Sequence, residues 1–183
     1  MVAAGIVIGV VWVAFWLYWF VSAADAKSAN RSGRAAYVAT RVVLVVVIHL
    51  LSRLHIFRSR VALHAPWLLA LGLVLFFAGL GLAVWARLYI GRNWGMPMSQ
   101  KQDPELVTTG PYSKVRHPIY TGIISAMIGT ALALSLLWLT VAAILGGYFI
   151  FSATREEKYM ASQFPATYPA YKRTTRMLIP YIL

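Results

Sequence analysis

The longest charge-free stretch of the chain is PIYTGIISAMIGTALALSLLWLTVAAILGGYFIFSAT, residues 118–154. As one α-helix rising 1.5 Å per residue it would be about 55 Å long, nearly twice the thickness of a bilayer's hydrocarbon core. The stretch must therefore fold back, and Ser135 is the expected turning point. Small residues that suit close helix packing lie on both arms: Gly122, Ala126, Gly129, Ala142, Ala143, Gly146 and Gly147. The sequence predicts a hairpin of two short membrane spans.

Composition places the whole chain in a membrane. Of its 183 residues, 60% are hydrophobic and only 12% are charged, whereas soluble domains carry about 25% charged residues. The net charge is +12, and because the cations lie between apolar runs we expect them to meet anionic lipid headgroups, not nucleic acid. The chain has no cysteine, which excludes a thiol nucleophile and Cys-ligated metals.

Three apolar segments precede the hairpin. Residues 2–24 contain no charged residue, and no basic residues precede them as they would in a signal peptide. The segment is therefore expected to be a retained membrane span and not a cleaved signal peptide. The second span, about residues 35–53, must tolerate Arg41, which can snorkel to the interface. Residues 61–86 form the third, with Pro66 suited to its first turn. The expectation is a five-span, all-α integral membrane protein forming a single domain.

Charge distribution predicts the orientation of this domain. Residues 1–86 hold three spans, and residues 87–183 hold a loop, the hairpin and a tail. With five spans, the loop 87–117 and the tail lie on the same side, and both are basic. The positive-inside rule puts them in the cytoplasm and the N-terminus outside. The cations of residues 53–60 would then face outward, against that rule.

A dense polar cluster, KVRHPIYTG at residues 114–122, lies where the predicted hairpin begins. Proline disfavours α conformation in the residue before it, so a helix is expected to begin at Pro118 with His117 just outside. Free helix N–H groups, Arg116 and His117 would then form an anion pocket, and Tyr120 could face a bound cation. Gly110-Pro111 reads as a turn that aims Tyr112 at the same place. The alternative is a snorkelling basic cap beside an aromatic belt.

The second polar cluster is TREEKY, residues 154–159, which contains the only paired acids of the chain, Glu156 and Glu157. These acids could be ordinary solvated charges. An acid opposite the anion pocket would instead complete a receptor for a zwitterion that carries both a carboxylate and an ammonium. S-adenosylmethionine has such an amino-acid end in addition to its sulfonium.

Other candidate sites are weaker. All five acids lie outside the apolar centres, which disfavours a proton-coupled transporter. GLGL at residues 79–82 lies inside an apolar helix and indicates packing, not a dinucleotide loop. His49 and His55 could ligate a haem between helices, so a non-catalytic or haem-binding membrane protein is the alternative function. No other metal site is predicted.

Three runs, GRNWGM at 91–96, ELVTTGPYSKVRHPIYTG at 105–122 and REEKYMASQFPATYPAYKRTTRMLIPYI at 155–182, together resemble the superfamily of isoprenylcysteine carboxyl and phospholipid methyltransferases. The likeness covers roughly residues 85–183. It implies a five-helix membrane enzyme that binds S-adenosylmethionine between its last two helices and its tail. Such an enzyme would methylate a lipophilic or small acceptor at the cytoplasmic face.

The resemblance also implies the residues of the site. The family's cofactor contacts fall on Glu105, Leu106, Val107, Tyr112, His117, Pro118 and Tyr120, and its acidic contact falls on Glu157. Arg116 joins them as a donor of the anion pocket described above. An upstream polar contact could come from Gln100 or Gln102.

The acceptor side departs from the family's pattern. We assign Trp94, Ala153 and Arg155 to it. In the prenylcysteine enzymes an arginine one turn before the acidic contact is thought to hold the substrate carboxylate, and this chain has Ala153 there. Arg155 lies on another helix face. The departure predicts a lipid amine or a thiol as acceptor, and an amine would need Glu157 to take its proton. The sequence does not predict an oligomeric state.

Overall fold

The computed structural model describes residues 2–22, 65–94 and 105–179. These residues form five α-helices: α1 Val2–Ser22, α2 Pro66–Ile90, α3 Pro118–Leu134, α4 Trp138–Gln163 and α5 Tyr168–Thr174, with 3-10 turns at Gly91–Asn93 and Gly110–Ser113. Helices α1, α2 and α4 are long and apolar enough to cross a membrane, and α3 is a shorter apolar helix. The predicted all-α integral membrane fold is confirmed for the described ranges, whereas the second predicted span lies outside them.

The hairpin turns where the sequence predicts. Helix α3 ends at Leu134, Ser135 has extended backbone geometry, and α4 begins at Trp138. The amide of Trp138 donates to the carbonyl of Ser135 at 3.0 Å, and the amide of Leu137 donates to the Ser135 hydroxyl at 3.4 Å. Both bonds satisfy amides that the first turn of a helix leaves without helical partners. The fold-back near Ser135 is therefore confirmed.

The small residues of α3, however, face α2 and not the other arm of the hairpin. A Cβ added at Gly79 would lie 2.5 Å from the Gly122 carbonyl oxygen, and one at Gly129 would lie 2.5 Å from that of Gly72. A Cβ on Gly147 of α4 would meet nothing within 4 Å. The prediction that small residues join the hairpin arms is wrong. They bring the backbones of α2 and α3 together, where only glycine fits.

This packing predicts a sharp contrast between two glycines of α2. Replacing Gly79 with alanine should lower the free energy of unfolding by about 1–3 kcal/mol, because the methyl group is forced against the backbone of α3. Gly81→Ala is the matched control, since its Cβ would lie in open space. That change should be neutral or stabilising by up to about 1 kcal/mol. Thermal unfolding of both variants in detergent tests the contrast, and equal effects would contradict it.

Two helices run past their predicted ends. Helix α2 continues through buried Arg87, which the sequence takes as the end of the span. Its guanidinium donates to the carbonyls of Gly91 at 2.8 Å and Ser22 at 2.6 Å, and it lies 4.6 Å from the centroid of the Trp94 ring. It thus ties α2 to the end of α1. Helix α4 continues past Thr154 to Gln163, and Glu157 in this extension binds Lys172 of the tail, as described below.

Candidate functional site

The site begins with the N-terminus of α3. Pro118 occupies the first turn, and His117 before it has φ −125° and ψ 60°, outside the α region. The predicted helix start is confirmed, and its cause is the proline. The Pro118 ring itself is almost completely buried. This rigid start fixes the polar residues on both sides of it, Arg116 and Tyr120, relative to the helix axis.

The C-terminal tail is bonded to the chain just before α3. Val115 and Arg176 form an isolated parallel bridge. The amides of Arg116 and His117 donate to the carbonyls of Arg176 and Met177, at 2.8 and 3.1 Å, and these bonds run side by side. The tail therefore lies along the start of α3 and covers it.

A cavity lies between four parts of the chain: the loop 105–112, the start of α3, the C-terminal part of α4, and α5. Eight of the nine predicted cofactor residues line it: Glu105, Leu106, Val107, Tyr112, Arg116, His117, Pro118 and Tyr120. The ninth, Glu157, does not line it. Of the predicted acceptor residues, Trp94 lines it. The sequence assigned none of the other seven lining residues, which are Ile90, Ile119, Glu156, Tyr159, Met160, Tyr168 and Tyr171.

Asn93 positions the first part of the loop. Its side-chain amide donates to the carbonyl of Glu105 at 2.6 Å, and its carbonyl oxygen accepts from the Glu105 amide at 3.1 Å. This paired contact holds Glu105 beside the segment that carries Trp94. The sequence reasoning missed Asn93, although its place in the GRNWGM run next to Trp94 was a usable signal.

Tyr112 is held from two sides. Gly110 has φ +59°, a conformation that favours glycine, and a Cβ there would lie 2.6 Å from the Tyr89 ring. The Tyr112 hydroxyl donates to the carbonyl of Ala86 at 3.3 Å, and Tyr171 donates to the carbonyl of Tyr112 at 2.7 Å. Burial raises the pKa of Tyr171 to about 12. Its phenol is therefore protonated at neutral pH and can donate this bond.

Glu157 lies under the tail. Its side chain is only 4% exposed, and its carboxylate lies 2.7 Å from Arg116 Nε and 2.7 Å from Lys172 Nζ. Arg116 is also engaged elsewhere, since its Nη1 donates to the carbonyl of Thr175 at 2.6 Å. The sequence assigned Glu157 to the cofactor and Arg116 to an anion. In the structure these two groups bind each other and connect α4 to the tail.

Glu156, the neighbouring acid, faces the cavity. Its Oε1 accepts from the Tyr120 hydroxyl at 2.5 Å and from Ser152 Oγ at 3.3 Å, and its Oε2 lies 3.6 Å from His117 Nδ1. Ser152, one turn earlier on α4, is completely buried. A polar residue four positions before an acid in an otherwise apolar helix is the signal that could have identified this arrangement.

His117 belongs to an aromatic column. Its ring stacks on Tyr120 with centroids 5.4 Å apart, and Tyr120 stacks on Phe149 at 4.8 Å. His117 Nε2 is buried and has no hydrogen-bond partner among the described residues. Buried polar atoms are rarely left unpaired in proteins, so an orphan nitrogen in a cavity wall suits a ligand that carries a polar group.

The remaining predicted residues lie elsewhere. Ala153 is completely buried in the apolar core, and neither it nor Arg155 lines the cavity. Arg155 is exposed, with its guanidinium 5.4 Å from the centroid of the Phe151 ring. Gln100, Gln102 and the histidines considered for haem lie outside the described residues. Within the described part, no group of three His, Cys, Asp or Glu residues could hold a metal ion.

The sequence is similar to a known family and to several characterised proteins. The sequence model of the phospholipid methyltransferase family matches residues 67–167. The cobalt-zinc-cadmium resistance protein CzcN of Cupriavidus metallidurans is 31% identical over 119 residues, which are 63% of this chain and 50% of that protein. The protein-S-isoprenylcysteine O-methyltransferase of Schizosaccharomyces pombe is 31% identical over 101 residues, 53% of this chain and 43% of that protein.

A solved structure has a similar fold. It is the eukaryotic intramembrane Ras methyltransferase, isoprenylcysteine carboxyl methyltransferase, with a TM-score of 0.55 and 27% sequence identity. The alignment covers 84% of this chain and 55% of that one. The chain thus spans about half the length of the relatives it matches.

Proposed function

The chain belongs to the phospholipid methyltransferase family, and from this premise we propose that it is a membrane enzyme that methylates a lipophilic or small acceptor using S-adenosylmethionine. The observation that carries the proposal is the cavity where the α3 N-terminus, His117, two acids and the tail tyrosines converge. The membrane lipids are its surroundings and the source from which an apolar acceptor would arrive.

The residues of the cavity fit the amino-acid end of this cofactor. A carboxylate suits the positive end of the α3 dipole and His117 Nε2, which forms no hydrogen bond among the described residues and lies 3.7 Å from Glu157 Oε1. An ammonium suits Glu105, one of the two acids on the wall. The Tyr120 ring offers an aromatic face to a cationic centre. When bound, S-adenosylmethionine would supply a methyl group on a sulfonium, which is a good leaving group.

The protein's own contribution is then mainly orientation. A methyl transfer of this type needs the nucleophile in line with the methyl group, and fixed geometry alone can supply several kcal/mol of the barrier. The Asn93 clamp on Glu105 and the tail bonded to residues 115–117 hold the cavity wall in place. These contacts reach the wall from opposite sides, so neither the loop nor α3 can shift alone.

The orientation in the membrane follows from exposed cations. Lys114, Lys158, Lys172, Arg173 and Arg176 are all exposed and lie on the segments that surround the cavity. The positive-inside rule supports a cytoplasmic position for this end of the protein. The cavity would therefore open toward the cytoplasmic leaflet.

Binding of the cofactor tests the proposal at His117. Replacing His117 with alanine should weaken binding of S-adenosylmethionine by about 1–3 kcal/mol, the range for removing a partner from a charged group. Isothermal titration of the purified protein in detergent measures the change directly. Lys158→Ala is the control, because Lys158 is exposed on the neighbouring face of α4 and does not line the cavity. Unchanged affinity in the His117 variant would remove His117 from the site.

A further inference from the structure

Two acids lie on the cavity wall, and their surroundings differ. Glu105 belongs to the loop before α3 and is exposed. Glu156 belongs to α4, in the membrane hairpin, and its side chain is 27% exposed. The cofactor requires one acid for its ammonium, and the loop acid serves that need. The role of the second acid is therefore open.

The structure fixes the carboxylate of Glu156. Tyr120 and Ser152 both bond to Oε1, so Oε2 is directed by these bonds, and it lies 3.6 Å from His117 Nδ1. Glu157, by contrast, is bound by Arg116 and Lys172. Two hydroxyl groups thus orient the carboxylate of Glu156 on the cavity wall.

The carboxylate also lies beside an aromatic column that reaches the apolar core. Tyr120, its closest partner, stacks on Phe149, which lies two turns before Glu156 on α4 and belongs to that core. The column from His117 to Phe149 therefore runs from the polar wall of the cavity into the hairpin. Glu156 lies where this polar wall meets the apolar core.

We propose that Glu156 is the general base of the methyl transfer and that the acceptor is a lipophilic amine or thiol, whose nucleophilic atom carries a proton. This inference rests on the proposed methyltransferase function. The observation that carries it is the oriented carboxylate on the cavity wall, next to the apolar core. A carboxylate acceptor would need no base, and a second negative charge beside Glu156 would repel it.

The step balances in atoms and charge. The carboxylate of Glu156 takes a proton from the acceptor, either from an N–H bond of its ammonium form or from the S–H bond of a thiol, and becomes a carboxylic acid. The electron pair of that bond forms the new bond to the methyl carbon. The bond from that carbon to the donor's sulfonium sulfur breaks, its electron pair stays on the sulfur, and the donor leaves as a neutral thioether. The proton on Glu156 then passes to water through the cavity.

The experiment uses the full-length protein in lipid nanodiscs with three acceptors of the same chain length: dodecanethiol, dodecylamine and dodecanoate. Glu156→Gln should lower kcat/KM for the thiol and the amine by about 10²–10⁴-fold, the usual contribution of a general base. The ratio of thiol to carboxylate turnover should fall by a similar factor. Because Glu156 also lies on the wall of the cofactor cavity, the dissociation constant of S-adenosylmethionine is measured by titration without any acceptor, and it should change by a much smaller factor than kcat/KM for the thiol.

Two further variants sharpen the test. Glu156→Asp keeps a carboxylate, but the shorter side chain moves it away from the acceptor. Turnover of the thiol by this variant should therefore lie between those of wild type and Glu156→Gln. Glu105→Gln should show the opposite pattern, with weaker cofactor binding and equal losses for all three acceptors. The Glu156 proposal is overturned if Glu156→Gln lowers kcat/KM equally for all three acceptors, or leaves kcat/KM unchanged for the thiol and the amine. If wild type neither binds the cofactor nor methylates any acceptor, the proposed function itself fails.

Discussion

Replacing Arg116 with leucine is expected to lower the free energy of unfolding by about 3–5 kcal/mol, the cost of removing one partner from a buried ion pair. Arg116 and Glu157 have side chains that are 8% and 4% exposed, and Nε lies 2.7 Å from Oε1. Lys172 stays close to Glu157 in the variant, but its side chain is 54% exposed. Water competes for that ammonium, so it cannot replace a buried guanidinium. The tail should loosen first, because Arg116 also holds the Thr175 carbonyl.

A double-variant cycle separates the pair from its surroundings. Glu157→Leu in the Arg116→Leu background should recover part of the loss, since no buried charge then lacks its partner. Arg176→Leu is the control, because Arg176 is exposed on the tail. Unfolding in mixed micelles gives the free energies. A loss in Arg116→Leu below about 1 kcal/mol would be typical of a solvent-exposed ion pair and would contradict this role.

Acceptor choice should show the second large effect. We expect a minimal farnesylcysteine substrate to be methylated about ten- to hundredfold less efficiently than a lipid amine or a lipophilic thiol. An arginine can hold a carboxylate bidentately, and losing such a charged contact costs on the order of 1.5–3 kcal/mol. Ala153 is completely buried, Arg155 lies against Phe151, and Arg116 is bound to Glu157. None of these three is placed to hold the carboxylate of an acceptor.

Methylation assays on the three acceptor types, at equal concentration in the same lipid, measure this preference. The expected preference differs from the substrate class in the name of a relative, a protein-S-isoprenylcysteine O-methyltransferase. If farnesylcysteine proves the best of the three acceptors, the inference from Ala153 is wrong.

Local rules in the sequence predicted those parts of the fold that local physics controls. The start of α3 follows from Pro118, and the hairpin turn follows from the length of the charge-free run. The partner of the small residues could not be predicted in this way. A helical pattern shows that Gly122 and Gly129 share a face, but not which neighbouring helix that face meets, and it meets α2.

The same distinction between local and long-range contacts applies to the residues of the candidate site. The cavity residues before and within α3 were predicted because their motif is contiguous. The sequence could not distinguish the roles of Glu156 and Glu157. Adjacent residues on a helix point about 100° apart, so the two acids face different neighbours. Which of them meets Lys172 depends on where the tail lies, and the sequence does not show that position. Arg116 looked like a free donor for the same reason, because its partner Thr175 lies far along the chain.

The central claim is that the cavity binds S-adenosylmethionine and delivers its methyl group to a lipophilic acceptor. The most direct measurement incubates the purified protein, kept in its native lipids, with S-adenosylmethionine radiolabelled on the methyl group, and then identifies the labelled product. We predict label in an apolar amine or thiol, with little or none when His117→Ala replaces the wild type at limiting cofactor concentration. Absence of any labelled product, together with no cofactor binding at micromolar to millimolar concentration, would contradict the account.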